Sequence, residues 1–157
     1  MATQGIGPSI QIDYARLARV REALASFGPE ALAAVDEDLR EAGSAVAREA
    51  AGRVRALATT HRDHDTASGY RTQVRARGIR IIGKGRGGSI IEFAGKRNPS
   101  GKTPQGRALI ATLGKRYGPP GRLLWQAWDR RSAQVNAAVT ATIEGAEHVL
   151  QARIDGV

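Results

Sequence analysis

The sequence predicts an α+β fold in which long N-terminal helices and a C-terminal helix pack on a small antiparallel sheet of three or four strands, with a loop-rich insertion before the last helix. Two observations predict it. Apolar residues recur at three- and four-residue steps near both ends of the chain, and in the middle the period shortens to two in brief β-branched runs. Charge divides the chain in the same way. Residues 61–131 carry 16 Lys and Arg against 4 Asp and Glu, whereas residues 1–60 carry 7 against 8 and residues 132–157 carry 1 against 3. Two weakly charged helical ends therefore hold a basic, glycine-rich centre, and a charge excess that localised describes a surface. The length of 157 residues suits a single domain with one core.

Each element follows from local chemistry. Residues 1–8 read as a flexible start. Ser9 to Ile12 alternates polar and apolar and reads as a short edge strand ending at Asp13, a good helix N-cap. Leu17, Val20, Leu24 and Phe27 then form one apolar stripe, and Gly28-Pro29 ends that helix and starts the next. In the second helix Leu32, Val35, Leu39, Val46, Val54 and Leu57 continue the period. Asp36, Glu37, Asp38 and Glu41 cluster near its start, where the helix dipole favours anions. Alanines at 42, 45, 47, 50, 51 and 56 would let another backbone approach closely. Much of the 41% hydrophobic content is alanine, so the core should be thin.

Residues 61–68 are polar and read as a loop. Tyr70 to Ala76 and Ile79 to Ile82 read as a hairpin turning at Arg77-Gly78, with arginines on its outer face. GKGRGG at 83–88 reads as a flexible loop, and Ser89 to Phe93, SIIEF, as a third strand. Residues 94–121 read as loop-rich, with one short helix from Thr103 as N-cap and Pro104 at its first position to Gly114. The last helix is expected from near Arg122 to Arg153 through Leu124, Trp128, Val135, Val139, Ile143 and Leu150.

Several function classes are disfavoured. The chain has no cysteine, hence no disulfide, thiolate metal site or cysteine nucleophile. With 4% aromatic residues it is poorly supplied with base-stacking platforms. The start MATQGIGPSIQID lacks a basic region followed by an apolar run, and no stretch approaches 18 apolar residues, so neither signal-peptide secretion nor membrane spanning is expected. Gly95 to Thr103 departs from a phosphate-binding loop in spacing, and Pro104 follows where a helix should already be open. His61, Asp63, His64 and Asp65 are metal-capable but read as a solvated loop, and Glu92 is an isolated acid without a histidine partner. No enzymatic role, cofactor or metal is expected.

The remaining candidates are contact residues. Arg71, Arg75, Arg77, Arg80, Lys84 and Arg86 have no interleaved acid and suit phosphates or an acidic protein surface. Trp125 and Trp128, one turn apart, suit anchors of the last helix, with Trp125 free to cover a neighbouring subunit and Phe93 on the interface strand.

The order of these pieces resembles the neck and tail-completion proteins of long-tailed bacteriophages. Ser68-Gly69 stands at the step into the hairpin, TQVRARGIRII forms the pair, Ile91-Glu92-Phe93 ends the following strand, and Arg122 to Asp129, RLLWQAWD, opens the last helix. Ala94 stands where the family pattern has glycine, and residues 96–118 form a long insertion. The resemblance implies a structural virion protein of the neck or top of the tail, present in the host cytoplasm during assembly. It implies a ring of six copies between head-closure and tail-terminator or tail-tube proteins, with double-stranded DNA passing through the centre. A small basic nucleic-acid-binding module acting as monomer or dimer is the other reading of the same charge.

Overall fold

The computed structural model describes residues 13–58, 66–76, 78–83, 86–96 and 101–156. Its elements are α1 (Tyr14–Phe27), α2 (Pro29–Leu57), β1 (Arg71–Arg75), β2 (Gly78–Ile82), α3 (Arg86–Phe93), α4 (Pro104–Tyr117) and α5 (Leu124–Asp155). Residues 66–68 add one helical turn where a loop is expected.

The Asp13 carboxylate accepts the Arg16 N–H at 2.8 Å, so the expected cap starts α1. Gly28 has φ +145°, a backbone state that side-chain-bearing residues avoid, and Pro29 opens α2 at once. The result is a helical hairpin, fastened by an ion pair between Arg21 and Asp36. Helix α5 runs antiparallel to α2: Glu49 meets Arg130 and Arg131, while residues 31–38 border residues 141–153. These long helices form the main contact of the molecule, and α1 lies across both, with Arg16 hydrogen-bonded to Glu147 at 2.7 Å.

The thin-core expectation holds. Of the 22 buried apolar residues among those described, 8 are alanine, and Ala50, Leu39, Val54 and Val135 are fully buried between α2 and α5. Small side chains bring the backbones together, so burial is achieved by close approach more than by side-chain volume.

The sheet among the described residues has two strands, not three or four. Thr72 pairs with Ile81 and Val74 with Ile79, which places these four on the face toward α2. Arg75 pairs with Gly78, so the turn sits one residue earlier than the pattern suggests. Ser9 to Ile12 lies outside the described residues.

At Gly43 of α2 a Cβ atom would stand 2.5 Å from the Thr72 methyl, so the sheet rests on a missing side chain. Gly43→Ala is expected to destabilise the fold by about 1–3 kcal/mol despite the better helix former, because the collision outweighs the propensity gain. Pairing it with Thr72→Ala should recover most of the loss in a double-mutant denaturation cycle; strict additivity would refute the contact.

Two further expectations are corrected. Residues 89–93 belong to helix α3, which begins within the expected glycine loop at Arg86. Among the described positions of this helix Gly88, Ile91 and Glu92 are buried, a three-and-four spacing, whereas a strand would bury alternate residues. The insertion is also more ordered than expected: α4 starts at the Thr103 cap but continues past Gly114 to Tyr117, where Gly118 ends it. The last helix starts at Leu124, two residues after Arg122, for a reason that lies in α3.

Candidate functional site

The N-cap residue of α5, Leu123, has no side chain able to accept a hydrogen bond, so the first amides of that helix need an outside acceptor. Glu92 of α3 provides it. Its carboxylate accepts the N–H groups of Leu123 at 2.9 Å and Leu124 at 3.1 Å, with Trp125 N–H farther off at 3.4 Å. Glu92 is 3% exposed, and an anion there also meets the positive end of the helix dipole.

Arg122 completes the junction from the other side. It is 1% exposed and donates to the carbonyls of Gly118 at 2.6 Å, Ile91 at 2.8 Å and Ala94 at 3.0 Å. It thereby satisfies carbonyls at the end of α3 that the helix leaves open. Burial pushes the Arg122 pKa down from its ordinary value while the Glu92 carboxylate pushes it up, and an arginine so placed stays charged. The Gly121 N–H adds a backbone bond to the Glu92 carbonyl at 2.8 Å. Glu92 is therefore an interhelix cap, a role hidden in the sequence because its partners are backbone amides about 30 residues away.

This latch sets the aromatic residues. Phe93 and Trp125, each next to a latch residue or its bonding partner, are 39% and 58% exposed. Trp128 is half-buried and packs on the core. With Tyr14 they line an open groove of about 440 Å³ floored by Val46, Ile79 and Leu124. A Cβ at Gly78, which has φ +148°, would stand 2.5 Å from the Tyr14 ring, so the ring sits directly on the hairpin turn. The chain has seven aromatic residues, 2 Trp, 3 Tyr and 2 Phe, and four of them converge here.

The hairpin borders the groove. Arg71, Arg75 and Arg80 are exposed on its outer face, with Gln73 opposite Arg80 and hydrogen-bonded to Arg75 at 2.9 Å. Arg80 also lines the groove. Arg77 and Lys84 lie outside the described residues, and Arg86 heads α3 instead of extending the hairpin loop. Arg71 faces a second hollow, of about 320 Å³, shared with Arg40, Arg48 and Arg55 of α2. Those three were not expected at the site. Their spacing of seven and eight residues on one helix was the available signal, masked by Glu37 and Glu41, which pair with Arg40 and Arg48.

Comparison with family models, curated proteins and solved structures finds no match to this chain. The site must therefore be read from its own chemistry. Thr103 uses its hydroxyl to cap α4, accepting the Gly106 N–H at 3.1 Å, so the Gly-Lys-Thr run here is a helix start. Among the described residues no three His, Asp or Glu side chains are grouped to hold a metal, and no helix is long and apolar enough to cross a membrane. His61, Asp63, His64 and Asp65 lie outside the described residues. The arrangement offers an exposed apolar, aromatic surface beside a cationic one.

Proposed function

We propose that this chain is a structural, non-enzymatic protein of the phage head-to-tail connection, forming a ring, of six copies by family resemblance, that joins the tail to the DNA-filled head. The observation that carries this reading is the latch. The two segments on which the resemblance rests, IIEFAG and GRLLWQAWD, meet through Glu92 and Arg122, and the pair presents Phe93 and Trp125 outward beside the basic hairpin. Buried residues that fix an exposed aromatic surface suit a protein whose work is assembly. In the ring, the outer face of the hairpin with Arg71 and Arg75 meets the DNA in the channel or acidic surfaces of the head-closure and tail-terminator neighbours.

The basic face also suits the second reading, a nucleic-acid-binding module active as a monomer. Titration of a short labelled duplex separates them. A module neutralising about six phosphates loses roughly a thousandfold in affinity between 50 and 200 mM salt. The neck reading expects the isolated chain to bind weakly throughout, and tight, salt-steep binding by a monomer would refute it.

A further inference from the structure

We infer that the aromatic groove receives the opposite end of a second copy of this chain, so that copies join head to tail. The inference rests on the ring reading and names the surfaces that would meet.

The groove lies at the start of α5, where Trp125 is 58% exposed. At the far end of the same helix Val149 and Ile154 are 46% and 61% exposed, with Phe27 of α1 beside them at 44%. Arg153 stacks on the Phe27 ring at 5.8 Å, which ties the ends of α1 and α5 into one apolar tip. At a rise of about 1.5 Å per residue, Trp125 and Ile154 are roughly 44 Å apart. One molecule therefore carries an aromatic hollow at one end and an apolar projection at the other, and neither can fill its own partner.

Charge selects the pairing. The groove is rimmed by Arg80, and the carboxylate in its lining, Glu92, is already occupied by the amides of α5. Two grooves facing each other would bring their Arg80 side chains together without a free counter-charge. The tip has the opposite balance: Glu30 follows Phe27 closely, Asp155 follows Ile154, and Asp38 lines the shallow hollow of about 300 Å³ at Val149, against Arg153 alone in that lining. Apolar tip into aromatic hollow, carboxylates onto Arg80, is a complementary and heterologous contact. Such a contact repeats from copy to copy and closes into a ring when the rotation allows.

The test uses two substitutions at exposed positions, Trp125→Asp in the groove and Ile154→Asp at the tip, each checked by circular dichroism for an intact fold. Sedimentation velocity should show wild-type association and, for either variant alone, a junction weakened about thirtyfold or more, as expected for the loss of an interface anchor. An equimolar mixture should form a one-to-one dimer and stop. The Trp125→Asp copy still has its tip and the Ile154→Asp copy its groove, so one sound junction forms and both outer ends are spoiled. Wild-type assembly by the Ile154→Asp chain would overturn the inference, as would a mixture that stays monomeric. A ring that survives both substitutions overturns this pairing but leaves the ring reading standing, whereas a wild-type monomer that takes up duplex sinks both.

Discussion

Replacing Glu92 with alanine should lower the stability of the fold by about 3 kcal/mol, since N–H donors are left without an acceptor in a closed junction. The Leu123 N–H loses its acceptor in a residue that is fully buried, and Leu124 loses its own. Arg122 would keep its carbonyl partners but lose the carboxylate that favours its charged form. For a chain of this length the loss corresponds to a fall in melting temperature of about 6–12 °C. Glu92→Gln should cost only about 1 kcal/mol, because the amide oxygen can still accept from the same N–H groups. Arg122→Lys should be more damaging than its name suggests: one ammonium cannot reach the carbonyls of Gly118, Ile91 and Ala94 as a planar guanidinium does. Losses at Glu92 and Arg122 should not add, because either one opens the same junction. Thermal melts of the wild type, the three single variants and the Glu92→Ala/Arg122→Lys double variant test this, and a Glu92→Ala chain that melts with the wild type would show that the junction holds without its cap.

Reversing Arg71 and Arg75 to glutamate should abolish function while sparing the fold. Both side chains are exposed, and Arg75 hydrogen-bonds to the half-buried Gln73. Changes there cost the fold within about 0.5 kcal/mol. The face itself would change by four charge units, from attracting phosphate or carboxylate to repelling it. In the proposed setting, infectious particle yield should fall at least tenfold by order of magnitude, since each copy in the ring repeats the repulsion. Neither residue lines the aromatic groove, so ring formation by the purified variant should persist. Normal infectivity of the double variant would remove the hairpin face from the account.

The helical part of this structure was legible because its signals are local. Asp13, Gly28-Pro29 and Thr103-Pro104 mark helix starts through their own backbone and side-chain chemistry, and the apolar spacing of Leu17, Val20 and Leu24 matches the buried face. The hairpin was legible for the same reason, from short alternation around a tight turn. SIIEF failed as a strand because its composition is β-like while its burial is decided by distant partners. Glu92 sits inside because α5 offers amides to it, and with it buried, Ile91 and Glu92 flank the helical face that Gly88 starts. The aromatic groove was half legible: Trp125, Trp128 and Phe93 were singled out one by one, but Tyr14 joins them only once Gly78 brings the hairpin turn beneath its ring.

The central claim is that this chain assembles with itself through surfaces the latch holds in place. Native mass spectrometry of the purified protein at several concentrations, with and without a short DNA duplex, tests it most directly. The account predicts closed oligomers near six subunits that grow in with concentration and are indifferent to the duplex. A chain that remains monomer or dimer and takes up duplex in fixed proportion would contradict it.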